Sequence, residues 1–196
     1  PGLPGIRYAA SKGLSVVVTE PLRGGRLTQY PPEPVSRLWD SAPTKRSLAE
    51  WGLRWVWNHP EISTVVSNVS SLQQLKETIS LASNTDPGTL TPQEEALISQ
   101  VREAYRSLKP LSCTTCRSCL PCPQGIDAPR ILEIYNDAVM FDDIEFGQSL
   151  YRKEKLTAEV CNGCGICVQR CPQRINIPEM LRKVEMLIGE FPAILT

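Results

Sequence analysis

The chain has 196 residues, 41% of them apolar, and its 21 basic side chains balance 21 acidic ones, giving a formal net charge of zero at pH 7. That balance gives no excess positive charge with which to hold a polyanion, so no nucleic-acid partner is expected. No apolar run reaches the ~18–20 residues of a membrane span and no signal peptide stands at the front, so no membrane span is expected.

Residues 1–13 read as the end of a helix, with Ile6, Ala9 and Ala10 apolar and Gly13 closing it. Leu14 to Thr19 is short, β-branched and apolar, which predicts a buried strand. It runs into the turn-rich Glu20-Pro-Leu-Arg-Gly-Gly25. Pro31, Pro32, Pro34 and Pro43 predict an irregular connection over 28–43. A helix is predicted over 44–58, with Leu48, Trp51, Trp55 and Val56 on one face and Asn58-His59-Pro60 as its stop. Ile62 to Ser67 reads as a second buried strand. Ser70 or Ser71 caps a helix running to about Ala82, with Leu72, Leu75 and Ile79 aligned.

This is the strand–helix–strand–helix rhythm of a parallel α/β unit. Two parallel strands make no covered sheet, so further strands upstream of Pro1, or a partner, are expected to complete it. The absence of an initiating Met agrees with that expectation. Asn84 to Leu90 reads as a loop. Thr91-Pro-Gln-Glu94 is a helix start, with an N-cap, a proline at the first helical position and acids in the first turn. Leu97, Val101, Ala104, Tyr105 and Leu108 form its stripe, and Pro110 ends it. The expected division is therefore an α/β part over 1–110 and a cysteine part over 111–196. In the latter, helices are predicted over 127–151, with a break near Gly147, and over 178–188, and no strand is predicted after residue 110.

All eight cysteines lie in two strings, Cys113-x-x-Cys116-x-x-Cys119-x-x-Cys122-Pro123 and Cys161-x-x-Cys164-x-x-Cys167-x-x-x-Cys171-Pro172. Disulfides fit poorly, because residues three apart bridge only locally and framework cysteines spread through a small secreted chain. Zinc takes four thiolates as two separated pairs. A lone redox Cys-x-x-Cys does not describe runs of four. Three cysteines at this spacing wrap one iron–sulfur cube, and in two-cluster ferredoxins the fourth cysteine of each string ligates the other cube. By that logic Cys113, Cys116, Cys119 and Cys171 hold one [4Fe–4S] cluster, and Cys161, Cys164, Cys167 and Cys122 hold the other. The second string matches the ferredoxin pattern in full. The first is one residue short between its third and fourth cysteines, so a single cluster, or zinc as a structural pin for the helices, stays open. If thiolates hold metal, a reducing, cytoplasmic location follows.

The strings head an internal repeat. Cys122-Pro-Gln-Gly-Ile126-Asp-Ala-Pro129 corresponds to Cys171-Pro-Gln-Arg-Ile175-Asn-Ile-Pro178, 49 residues on, while the three leading cysteines correspond at a distance of 48. The helical segment of about 38 residues between the strings resembles the α-helical type of ferredoxin. Arg170, Arg174, Arg182 and Lys183 are a candidate docking face on this part.

Val18-Thr-Glu-Pro-Leu-Arg-Gly-Gly25 and Ile62-Ser-Thr-Val-Val-Ser-Asn-Val-Ser-Ser-Leu-Gln-Gln-Leu-Lys-Glu77 resemble the last two βα units of an aldo/keto reductase. With the cysteine strings, the chain is similar to the ferredoxin-fused branch of that family. The resemblance implies the C-terminal fragment of a (β/α)8 barrel followed by an all-helical ferredoxin-like domain, with NADP(H) in the complete enzyme. It implies that Glu20, Pro21, Leu22, Arg23 and Gly24 flank the nicotinamide and pyrophosphate. Ser67, Asn68, Ser71, Gln74 and Glu77 would hold the adenosine end. Asn68 stands where many members carry a basic residue. The family's catalytic Asp, Tyr, Lys and His have no counterpart here. His59, the one histidine, reads as a cap or surface residue, and the tryptophans read as packing. The expected activity of the chain itself is one-electron transfer, with a redox partner protein or the remaining barrel half as partner. The alternative is a structural or interaction module.

Overall fold

The computed structural model describes residues 2–189, so Pro1 and positions 190–196 of the expected second domain lie outside it. The chain divides into two compact units, Pro1–Arg102 and Glu103–Thr196. The division falls within the helix Pro92–Leu108, whereas the sequence reading puts it after that helix, at 110/111.

In the first unit, α1 (Gly2–Ser11) ends just ahead of Gly13, whose φ of 73° turns the chain. Strands β1 (Val17–Thr19) and β2 (Thr64–Val66) pair in parallel with Val17 opposite Thr64 and Thr19 opposite Val66. Both are shorter than the sequence predicts, and neither is buried: Val17 and Val66 are 56% and 49% exposed. A strand is buried by the layers on its faces, and here each strand has one neighbour. Among the described residues there is no closed barrel, and the chain is mainly helical.

The connection between the strands also differs from expectation. Residues 28–43 are not irregular: after a 3-10 turn (Arg23–Gly25) come α2 (Arg26–Gln29) and α3 (Glu33–Asp40). Pro32 sits at the N-cap of α3 and Pro34 in its first turn, where a missing N–H costs nothing because that donor has no helical acceptor. Helix α4 (Leu48–Trp57) starts at Ser47, whose Oγ accepts from Glu50 N at 3.1 Å. Its buried residues are Trp51, Leu53 and Val56, and Trp39 stacks on Trp51 with centroids 5.3 Å apart. Val35, Leu97 and Val101 are the other buried residues of α3 and α6 (Pro92–Leu108) that belong to this core. His59 packs edge-on against Trp55 at 4.9 Å. Burial holds its pKa below the ordinary value.

Helix α5 (Leu72–Ser83) is capped by Ser71, which accepts from Gln74 N at 3.1 Å. The apolar face read in the sequence is present but uncovered, with Leu72 66%, Leu75 40% and Ile79 56% exposed. Helix α6 opens with a capping box, Thr91 Oγ1 accepting from Glu94 N and Glu94 Oε2 accepting from Thr91 N.

In the second unit, α7 (Ala128–Met140) and α8 (Ile144–Lys153) replace the single helix of 127–151. The break lies at 141–143, not at Gly147. Asp142 takes a left-handed φ of 50°, and Asp143 caps α8 by accepting from Phe146 N at 3.1 Å. Gly147 is glycine for packing: a Cβ there would stand 2.8 Å from Ala138 Cβ. Gly147→Leu is therefore expected to destabilise this unit by about 1–3 kcal/mol. A thermal melt followed through helix signal would show it, and a wild-type midpoint would refute the close packing. Two further helices follow, α9 (Ile166–Arg170), which the sequence reading does not contain, and α10 (Ile177–Val184), which passes into a π-turn at Glu185–Gly189.

The internal repeat is structural. Ile126 and Ile175 are buried as a pair, as are Leu132 and Leu181. All four belong to one core with Ile131, Ile134, Val184 and Ile188. Asp127 and Asn176 stand at the N-caps of α7 and α10. Among the described residues no helix is long and apolar enough to cross a membrane.

Candidate metal centre

The two cysteine loops share one backbone path. Gly163 and Gly165 have φ of 71° and 77°, and their counterparts 48 positions earlier, Thr115 and Arg117, have φ of 52° and 62°. Left-handed backbone is ordinary for glycine but strained for a β-branched threonine. The first loop holds that strain, as loops at functional sites do. The hydrogen bonds repeat as well. Leu120 N donates to Arg117 O as Val168 N donates to Gly165 O, and Gly125 N donates to Cys122 O as Arg174 N donates to Cys171 O. Between the third and fourth cysteines the copies part. The second string forms the short α9, and the first, one residue shorter, runs without a helix.

All eight thiols are free. Cys119 lies in the core of this unit, with Cys113, Cys122, Cys161, Cys167 and Cys171 packed against it, while Cys116 and Cys164 are exposed. One pocket gathers Cys113, Cys116 and Cys119 from the first string with Cys171 from the second. Its apolar walls come from Pro129 and Leu132 on α7, from Ile175, and from Ile177 at the start of α10, beside Thr114, Thr115 and Arg117. Four soft thiolates gathered against a largely apolar wall are the donor set that iron–sulfur clusters take, so the residues present fit such a group. Among the described residues no three Cys, His, Asp or Glu groups converge on a single-ion position.

The second set is assembled less completely. Cys161 and Cys164 lie near enough to Cys167 to act on its thiol, whose pKa burial raises first of all. Burial likewise raises Cys119, which also feels Cys113, Cys167 and Cys116, so the two strings approach each other there. Cys116 moves the other way: hydrogen bonding, with Ser118 first, holds its thiol below the ordinary value. The Cys116 Sγ to Ser118 Oγ separation is 3.4 Å. Among the described residues no pocket joins Cys122 to Cys161, Cys164 and Cys167.

Each string is pinned at its entrance by a polar residue of the helix that follows its own copy. Asn136 on α7 accepts from Leu111 N at 2.9 Å and donates to Leu111 O at 3.3 Å. Glu185, 49 positions on, accepts from Ala158 N at 2.8 Å and from Tyr151 Oη at 2.5 Å. Both anchors escape the sequence reading, although the same 49-residue correspondence pairs them. The basic docking face is not uniform: Glu159, Glu179 and Glu185 share a cleft with Arg182 and Lys183.

In the first unit a separate pocket is lined by Glu20, Pro21, Leu22, Gly24, Ser67, Asn68, Gln74 and Glu77. Arg23 and Ser71 are not among its lining residues. Ser71 serves instead as the cap of α5. Gln74 Oε1 accepts from Ser70 N at 2.9 Å, and Glu77 accepts from Gln73 Nε2 at 2.6 Å. Thr28 and Gln29 line the same pocket without having been singled out in the sequence, and so does Thr78, where the family resemblance gives many members an Asn against the adenine.

Residues 112–175 match the family described as 4Fe-4S dicluster domain. The match implies 4Fe–4S cluster binding by this segment. No curated protein matches the chain. A solved structure, an aldo-keto reductase from Bacillus halodurans in its holo form, is 29% identical over 49% of this chain and 36% of that one, with a TM-score of 0.40. The chain thus spans well under half the length of that structure.

Proposed function

We propose that this chain transfers single electrons through two [4Fe–4S] clusters and forms the iron–sulfur part of an aldo/keto reductase-type oxidoreductase. The observation that carries this reading is the pocket that draws Cys113, Cys116 and Cys119 together with Cys171. A fourth thiol reaching in from the other string is what the two-cluster arrangement requires. The repeated loop conformation supports the reciprocal set of Cys161, Cys164, Cys167 and Cys122. Each cluster, when bound, stores one electron. The chain's own part is to supply four thiolates to each site, to keep Cys119 and Cys167 out of water, and to bring the two strings close. Two one-electron sites in series match the two electrons of a nicotinamide hydride.

The nicotinamide side of the proposal rests on the sequence resemblance and on the first-unit pocket that collects eight of the ten positions the resemblance names. The exposed faces of β1, β2 and α5 support completion of the sheet by the remaining barrel half or by a partner. A redox partner protein in a reducing, cytoplasmic setting would exchange the electrons.

Anaerobic reconstitution with iron and sulfide tests the reading. About eight irons per chain and bleaching at about 400 nm on reduction are expected from two cubes. About four irons would leave one cluster. A colourless, zinc-loaded chain would make the centre a structural pin.

A further inference from the structure

The two cysteine loops follow one path, but the side chains that face their ligands differ. Ser118 Oγ stands 3.4 Å from Cys116 Sγ. Its counterpart 48 positions on is Ile166, which has no polar atom to offer Cys164. Asn162, the counterpart of Thr114, has its Oδ1 engaged by the backbone N of Cys164 at 3.2 Å. Arg117 lines the pocket of the first string, and Gly165 occupies the matching place in the second. The Arg117 charge is partly offset by Asp127 at 3.7 Å. On the other side, Cys161 shares its cleft with Glu159, Glu179 and Glu185 against Arg182 and Lys183. Solvent does not separate the sites, since Cys116 and Cys164 are both exposed.

Reduction adds one negative charge to a cluster and its thiolates. A hydroxyl donating to a ligand sulfur, or a cation beside it, stabilises that added charge and raises the potential, and nearby carboxylates lower it. We propose that Ser118 is a potential-setting residue and that the Cys113/Cys116/Cys119/Cys171 site is the one of higher potential, where the first electron rests. This rests on the two-cluster reading above. One electron enters from an external one-electron donor, no bond forms or breaks, and no proton is required. A second electron then fills the Cys161/Cys164/Cys167/Cys122 site. In turnover, electrons run from that site toward the first.

The test is an anaerobic redox titration of the reconstituted full chain with dithionite, followed by visible absorbance and electron paramagnetic resonance. Iron content is measured first. In the wild type two separate reduction waves are expected. Ser118→Ala lowers only the upper wave, by about a tenfold loss in that site's relative electron affinity, equivalent to about 59 mV for one electron. Ser118→Thr restores it, which a merely structural role would not predict. Ile166→Ser raises only the lower wave, and this arm decides the matter even if Ser118→Ala loads poorly. About eight irons with coincident waves would overturn the inequality alone. A Ser118→Ala shift in the lower wave, or in neither, would overturn the role of Ser118. About four irons would remove the two-cluster reading, and this inference with it.

Discussion

Cys171→Ala retains about half of the wild-type iron after reconstitution, and adding Cys116→Ala removes little more. The expectation follows from where the thiols lie. Cys116 and Cys171 sit on different strings, 55 positions apart in the chain, yet line one pocket. Two substitutions in the same site cost one site. Cys116→Ala with Cys122→Ala, although both residues belong to the first string, is expected to strike both sites and strip nearly all the iron, because on the proposed crossing Cys122 serves the opposite set. Iron analysis of the three variants checks the pairing. If Cys116→Ala with Cys122→Ala keeps half the iron while Cys116→Ala with Cys171→Ala keeps none, each string closes on its own cluster and the crossing is wrong. The variants are informative because the copies differ in length: the second string has room for α9 before its fourth cysteine. The first makes the same span with one residue fewer.

Glu94→Leu lowers the stability of the first unit by about 1–3 kcal/mol, the cost of removing a charge-assisted hydrogen bond and leaving Arg46 with Glu50 alone. Glu94 is 3% exposed. It joins Arg46 in a short ion pair. Arg46 also meets Glu50 at 3.3 Å and lies over the Trp51 ring at 4.6 Å. Burial works to raise the Glu94 pKa, but the hydrogen bond from the Thr91 backbone and the Arg46 guanidinium overcome it and hold the carboxyl below its ordinary value. A depressed carboxylate contributes stability that is present above its unfolded-state pKa and is lost as pH falls through the lower folded value. The wild type is thus expected to lose part of this unit's stability on acidification below about pH 4, and the variant is expected to lack that component. Thr91 also loses its reciprocal cap bond, a further ~1 kcal/mol. Against the ~5–15 kcal/mol of an ordinary domain the loss is large. All four tryptophans, Trp39, Trp51, Trp55 and Trp57, lie in the first unit. Urea unfolding followed by tryptophan fluorescence therefore reads this unit alone, while cluster absorbance reads the other. A fluorescence midpoint within about 0.5 kcal/mol of wild type would mean that Glu50 and solvent suffice to satisfy Arg46. Arg46→Met with Glu94→Leu should recover much of the loss, because neither charge is then stranded.

How much of this was legible in the chain varies with the range of the interaction involved. The cap at Thr91 and the stop at Gly13 are read correctly, and the cap of α5 is narrowed to Ser70 or Ser71, because a side chain bonding its own backbone three residues on needs no distant partner. Pro34 misled for the same local reason taken too far. Proline breaks a helix interior, but in a first turn it does not, and only the full path of α3 shows where that turn begins. Gly147 was read as a helix break when it is a packing glycine, since the 2.8 Å approach of Ala138 is made by another helix. The burial expected of Val17 and Val66 also failed, and the shared face of Leu72, Leu75 and Ile79 is uncovered. An apolar pattern states what a segment can cover, and the rest of the fold decides whether anything covers it.

By itself the sequence determined the chemistry: eight thiols at metal-ligand spacing, two copies of one loop-and-helix unit, and the one-residue difference between them. Cysteine spacing and repetition are properties of the chain, and no fold is needed to count them. The tertiary structure decided which thiols share a pocket. It also placed Ser118 against Cys116 where the second copy has Ile166, and set Asn136 and Glu185 to pin the two loop entrances. Those relations join residues up to 58 positions apart, and such closeness arises only when helices pack and close the chain between them.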